Sequence, residues 1–146
     1  MPATVHLTLT LEQAYAVRDA LDLFTRLGIG QLEEVAHLIR LGVIPRCQPP
    51  AAPRVTADGE SCQRIDDLLH AVKDELGYSR NGSNGIGHAH VSLAAHRSYE
   101  VKKALARALA LHRDPNPDFR GVDYDGLLVR YTQDLPPLAR IEPEST

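Results

Sequence analysis

The heptapeptide TVHLTLT, Thr4 to Thr10, constrains this chain most, because it alternates without error before a helical pattern begins. Val5, Leu7 and Leu9 fall on one face and Thr4, His6, Thr8 and Thr10 on the other, which is the period of a strand with one side buried. Thr10 then has Gln13 three residues on, the spacing of a capping box, and Ala14, Val17, Leu21 and Phe24 recur at helical intervals. A strand that leads directly into a helix is expected.

Further along, Gly28 and Gly30 interrupt the helical pattern, and RLGIGQLEEVAHLIRLG restarts it. Glu33 and Glu34 sit in the first turn, where the helix dipole favours negative charge, Leu32, Val35, Ala36 and Ile39 form the stripe, and Gly42 is placed to cap the C-terminus. From Pro45 to Gly59 four prolines and almost no periodicity predict an extended, flexible surface loop. A third helix follows with Ser61 as a capping-type residue and Ile65, Leu68, Leu69, Val72 and Leu76 on one face, stopped by Gly77. The longest helix carries Val101, Ala104, Leu105, Ala108, Leu109 and His112 as its stripe and ends at Asp114-Pro115. VDYDGLLVRYTQ alternates again, and the tail from Leu135 is extended and then frayed. The expected fold is therefore α+β: a small antiparallel sheet of the N-terminal and C-terminal strands packed against about four helices, in a single domain over residues 1–146.

Between the third and fourth helices lies RNGSNGIGHAHVSLAAHR, Arg80 to Arg97, too polar and glycine-rich for either helix. Its GSNGIG core offers unhindered backbone N–H groups ahead of a helix start, the usual place for an anion. It matches neither a Walker loop nor a dinucleotide fingerprint. Arg80 and Arg97 flank it with guanidinium forks suited to phosphate oxygens, and Asn81 and Asn84 can donate to and accept from a base or ribose. Tyr78 and Tyr99 are candidate stacking surfaces, and His88 completes the candidate ligand-binding set. The plainer reading is a connector whose Asn and Gly serve positive φ.

Other chemistries find less support. His88, His90 and His96 crowd together, but no HExxH pattern accompanies them and no Asp or Glu lies between Arg80 and Arg97, so a metal-dependent nucleotide hydrolase is a minor alternative and no metal or other cofactor is expected. No G-x-S-x-G elbow is present, Ser92 is better explained as a helix N-cap, and the adjacent pairs Glu33–Glu34, Asp66–Asp67 and nearby Asp123 and Asp125 read as solvated carboxylates. No catalytic residue is assigned, and the chain is expected not to be an enzyme. A net charge of −3 without a basic tail disfavours duplex nucleic acid as a partner. No run approaches the ~18 apolar residues of a bilayer span, and the first ten residues lack a basic, then apolar, leader pattern, so no membrane partner and a cytoplasmic location are expected. In that compartment Cys47 and Cys62 are expected to be reduced, although the loop between them would allow a disulfide.

Several pieces together resemble a family of small phage and prophage proteins: GIGQLEE (Gly28 to Glu34), an N-x-S-x-G-I turn (Asn81 to Ile86), Arg97 close before Tyr99, HRDPNP (His112 to Pro117), VDYD (Val122 to Asp125) and PLARI (Pro137 to Ile141). The chain is most similar to the Thoeris anti-defence sponges, oligomers that sequester cyclic ADP-ribose isomers, and in some members cyclic dinucleotides, without cleaving them. The resemblance implies a homo-oligomer acting in the cytoplasm of a bacterial host, with Asn81 or Asn84 and Arg97 on a small nucleotide-derived ligand. The adenine-stacking aromatic of that family has Tyr78 as its nearest counterpart. The alternative is a phage inhibitor that binds a host defence complex directly through a helical face.

Overall fold

The computed structural model describes residues 2–143. Residues 144–146 of the expected frayed tail lie outside them. Four α-helices are present, α1 (Leu11–Gly28), α2 (Glu33–Arg40), α3 (Gly59–Glu75) and α4 (Leu93–Arg113), with a 3-10 turn at Val122–Asp125. The chain divides into two compact units, residues 1–25 with 92–146 and residues 26–91.

In the first unit α4 carries the core. Ser92 is its N-cap, accepting from the Ala95 amide at 3.1 Å, and Lys102 reaches Asp22 of α1 at 2.9 Å. α1 starts with the expected reciprocal box: the Thr10 amide donates to Gln13 Oε1 at 2.9 Å and the Gln13 amide to Thr10 Oγ1 at 3.2 Å. The buried apolar side chains are small ones, Ala14, Ala95, Ala106 and Ala110, with Leu109 and Tyr124. Leu105 and Val101, expected in the stripe of α4, are not buried, because the burial runs through Glu100, Ala106 and Ala110 instead.

No strand occurs among the described residues, which corrects the α+β expectation to an all-helical fold. The reason differs for the two segments. Residues 2–10 form no regular secondary structure: a strand exists only as part of a ladder, and residues 3–9 find no hydrogen-bond partner among the described residues. VDYDGLLVRYTQ is captured by α4. Tyr124 is buried and donates its hydroxyl to the Asp114 carbonyl at 3.0 Å, and Lys103 donates to the Val122 carbonyl at 3.1 Å. The Glu100 carboxylate takes the amides of Tyr131 and Thr132 at 2.7 and 2.9 Å, donors that a ladder would have needed.

In the second unit α2 packs on α3. Asp58, rather than Ser61, is the N-cap of α3: its carboxylate accepts from the Ser61 amide at 2.7 Å, and that bond, with the Ser61 hydroxyl, holds its pKa below the ordinary value. Gly42, at φ +71°, ends α2 as expected. The Pro45–Gly59 loop folds back on itself through Arg46 N–H to the Val55 carbonyl at 3.0 Å, and the Arg46 guanidinium meets Asp58 and Ser61 at 3.2 and 2.5 Å. Cys47 is exposed, Cys62 buried, and both are free thiols.

α3 is rotated relative to its apolar stripe, so that Ile65 and Leu69 are only half-buried. Leu68, Val72 and Leu76 are exposed, while Cys62 and Lys73 are buried. The side of α3 that meets α2 is stitched by charge, Asp66 to Arg40 and Lys73 Nζ to Glu33 Oε2 at 3.1 Å.

Candidate functional site

The glycine-rich turn of the second unit is built on the turn between α1 and α2. Gly30 has φ +95°, and a Cβ there would lie 2.5 Å from Cζ of Tyr78, so only glycine lets the Tyr78 ring lie on this backbone. The Asn84 amide donates to the Ile29 carbonyl at 2.8 Å, Asn84 Nδ2 to the Tyr78 hydroxyl at 3.2 Å, and Gln31 Nε2 reaches Ser83 Oγ at 3.5 Å. GIGQ and N-x-S-x-G-I, far apart in sequence, thus form one frame. Arg26 holds its other side, bonding Gln31 at 3.2 Å and Glu34 at 3.3 Å.

Tyr78 and Asn84 therefore serve the frame rather than presenting free surfaces. What the frame displays is different. Arg80 is largely exposed and its carboxylate neighbour, Asp67, stands off at 4.0 Å. Asn81 is exposed, and among the described residues neither its side chain nor the amides of Ser83 and Gly85 have a protein partner. His88 is exposed, its Nδ1 accepting from the His90 amide at 3.1 Å with the two rings edge-on at 5.3 Å. That bond engages Nδ1 of His88, so Nε2 is the ring nitrogen without a hydrogen-bond partner among the described residues.

The connector reading predicted glycines at positive φ, yet none of the turn's glycines is among the positive-φ positions. At Gly82 a Cβ would stand 2.2 Å from Ser79 Oγ, a contact that rotation of the serine side chain relieves. At Gly85 a Cβ would meet nothing within 4 Å. Glycine costs backbone entropy in the folded state, and it leaves a stretch of bare main chain open to close approach.

Arg97 and Tyr99 belong to the first unit and face a different set of neighbours. Arg97 grips Asp134 with two bonds, Nε to Oδ2 at 2.6 Å and a terminal nitrogen to Oδ1 at 3.2 Å. The hydrogen bond from Arg97 lowers the Asp134 pKa, and the same bond raises that of Arg97. Burial, then the neighbouring Tyr131, raises the phenol pKa of Tyr99, whose ring meets Tyr131 edge-on at 5.7 Å. Tyr131 also stacks on His96 at 5.1 Å, so the third histidine of the sequence cluster is an aromatic packing residue. Among the described residues no three His, Cys, Asp or Glu side chains come together as a metal site would need.

Two features escaped sequence reasoning. Glu100 and Lys73 are buried charges whose partners lie 31 and 40 residues away, and a single charged letter in a helix does not disclose such a partner. A groove of about 310 Å³ in the first unit, lined by Ala104, Arg107, Ala108, Leu111, His112, Ala139 and Ile141, has no signal in the sequence because the tail closes one side. It is open to solvent, and Arg107 and His112 bring polar groups to an otherwise aliphatic set of lining residues. No described helix is long and apolar enough to cross a membrane.

Comparison of the chain with protein-family models, with curated proteins and with solved structures finds no match.

Proposed function

We propose that this is a non-enzymatic, cytoplasmic phage anti-defence protein that binds and sequesters a nucleotide-derived immune signal, a cyclic ADP-ribose isomer or a cyclic dinucleotide, as a homo-oligomer. The observation that carries the reading is the contrast within the glycine-rich turn: its frame is closed by Tyr78, Asn84 and Gly30, while Arg80 and Asn81 are exposed and the amides of Ser83 and Gly85 have no protein partner among the described residues. A cation, a carboxamide and bare amide donors suit phosphate oxygens and a base or ribose edge. His88 adds a ring nitrogen at the end of the turn. Arg97 enters the reading differently from Arg80. It must exchange a carboxylate for a phosphate to take part, so Asp134 competes with the ligand for it.

Binding is tested by thermal shift and calorimetry with cyclic ADP-ribose isomers and cyclic dinucleotides, followed by recovery of the ligand after heat denaturation. A ligand at about a hundredfold excess over its Kd stabilises the chain by about 2.7 kcal/mol, and intact ligand is recovered. Arg80→Ala and Asn81→Ala weaken binding, and Asp134→Asn strengthens it if Arg97 contributes. No shift with any of these nucleotides, or recovery of a cleaved product, overturns the reading.

The exposed stripe of Leu68, Val72 and Leu76 on α3 favours a second reading, an inhibitor that docks this helix on a host defence complex. It predicts a stoichiometric partner in a pull-down from host lysate, lost in Leu68→Glu, and no nucleotide ligand.

A further inference from the structure

The N-terminal arm is the part of the molecule whose own pattern is left unanswered. Residues 3–9 form no regular secondary structure, their backbone groups bond to no described residue, Val5 and Leu7 are 91% and 72% exposed, and Leu9 is half-buried. The segment 2–10 contains no Asp, Glu, Lys or Arg, so it lacks the charges with which proteins usually guard an open strand edge. Its point of exit is fixed by the Thr10–Gln13 box, which lowers the entropy lost when the arm is ordered. The one other alternating segment in its unit has already given the Tyr131 and Thr132 amides to Glu100.

We propose that the arms of two copies of this chain pair antiparallel about a two-fold axis at Leu7, making an intermolecular two-stranded ribbon. In an antiparallel pair, directly opposed residues share a face. A two-fold axis at Leu7 sets Leu7 against Leu7 of the second copy, Val5 against Leu9 and Thr8 against His6, and it keeps all three apolar residues paired. Moving the axis to His6 leaves Leu9 facing Ala3, and moving it between two residues sets apolar against polar. A lone ribbon is marginal in water, and nine residues a side fall short of the ~20–30 of a stable interface. The same unit supplies further exposed apolar surface, with Phe119 at 84%, Leu138 at 83% and Leu128 at 75%. The inference deepens the oligomer named in the proposed function and does not depend on which ligand the turn takes.

Single cysteines placed in a Cys47→Ser background test the register. Opposed residues in an antiparallel pair have Cα atoms ~4.5–5.5 Å apart, within the range of a disulfide. Leu7→Cys gives covalent dimers on mild oxidation. Val5→Cys and Leu9→Cys each give few alone and give a mixed dimer when combined. In sedimentation equilibrium Leu7→Lys weakens self-association by about a hundredfold or more, through loss of two buried Leu side chains. Thr8→Lys on the other face changes it little, and circular dichroism confirms that both variants keep their helices. A monomeric wild-type chain, a dimer that survives Leu7→Lys, or equal cross-linking of Val5→Cys and Leu7→Cys overturns the proposal. No nucleotide binding by the wild-type chain, together with covalent dimers of the Leu7→Cys variant, defeats the proposed function and leaves the ribbon standing.

Discussion

Among the described residues each unit of the molecule buries one charged side chain, and the two solve the same electrostatic problem differently. Glu100, 2% exposed, is surrounded by donors: two backbone amides at 2.7 and 2.9 Å and the Thr132 hydroxyl at 2.8 Å. Lys73, 0% exposed, has one partner atom among the described residues, Oε2 of Glu33, whose side chain remains 43% exposed. The carboxylate is thus a staple that holds segment 130–134 onto α4, and losing it orphans main-chain groups. The ammonium depends on a partner that can return to water. A buried charge is weak evidence of stability in itself, and the sensitivity lies in what is left behind when one member is removed.

The largest expected effect is Glu100→Ala, which removes acceptors from three donors and costs about 3–5 kcal/mol in urea unfolding. Glu100→Gln keeps an acceptor for the amides and costs less. Burial alone would raise the Glu100 pKa, but the Thr132 hydroxyl and the two amides outweigh it and hold the value below the ordinary 4.5. A carboxyl with a lowered folded pKa contributes stability that is full above its unfolded value and is lost as pH falls through the folded one. Unfolding midpoints should therefore drop below pH 4.5, less steeply in Glu100→Gln; equal pH slopes would break the assignment.

Glu33→Ala comes next, at about 3 kcal/mol, because it leaves the Lys73 ammonium buried and alone. Lys73→Met should cost under about 1 kcal/mol, since Glu33 is then solvated and methionine fills similar space. If the two variants are equally destabilised, the asymmetry claimed for this pair is wrong. Between them lies Gly30→Ala, at about 2 kcal/mol from left-handed strain and displacement of Tyr78. It also loosens the frame of the turn, so nucleotide affinity should fall along with the thermal midpoint.

The helices were legible in the sequence because their signals are local. Thr10 with Gln13, Ser92 and Gly42 all act within a few residues of where they stand. The lack of a sheet among the described residues was not legible, because alternation states only what TVHLTLT is suited to, and a ladder depends on an edge supplied from elsewhere. α3 shows the same limit: Ile65, Leu68, Val72 and Leu76 trace a sound stripe, yet long-range ion pairs at Asp66 and Lys73 decide which side meets α2. The turn was found as a candidate site, but Tyr78 and Asn84 were assigned to the ligand, since nothing in their neighbourhood announces a glycine almost fifty residues earlier.

The apolar interior of this molecule is made largely of methyl groups, with Ala95 at 0%, Ala36 at 1%, Ala106 at 3% and Ala110 at 4% exposure. Backbones brought that near to one another have no slack, and adding two carbons at such a place typically costs about 1–3 kcal/mol in overpacking. A saturation screen of the isolated chain should accordingly find its most brittle sites at the shortest side chains, while many leucines and valines tolerate exchange until a second molecule is present.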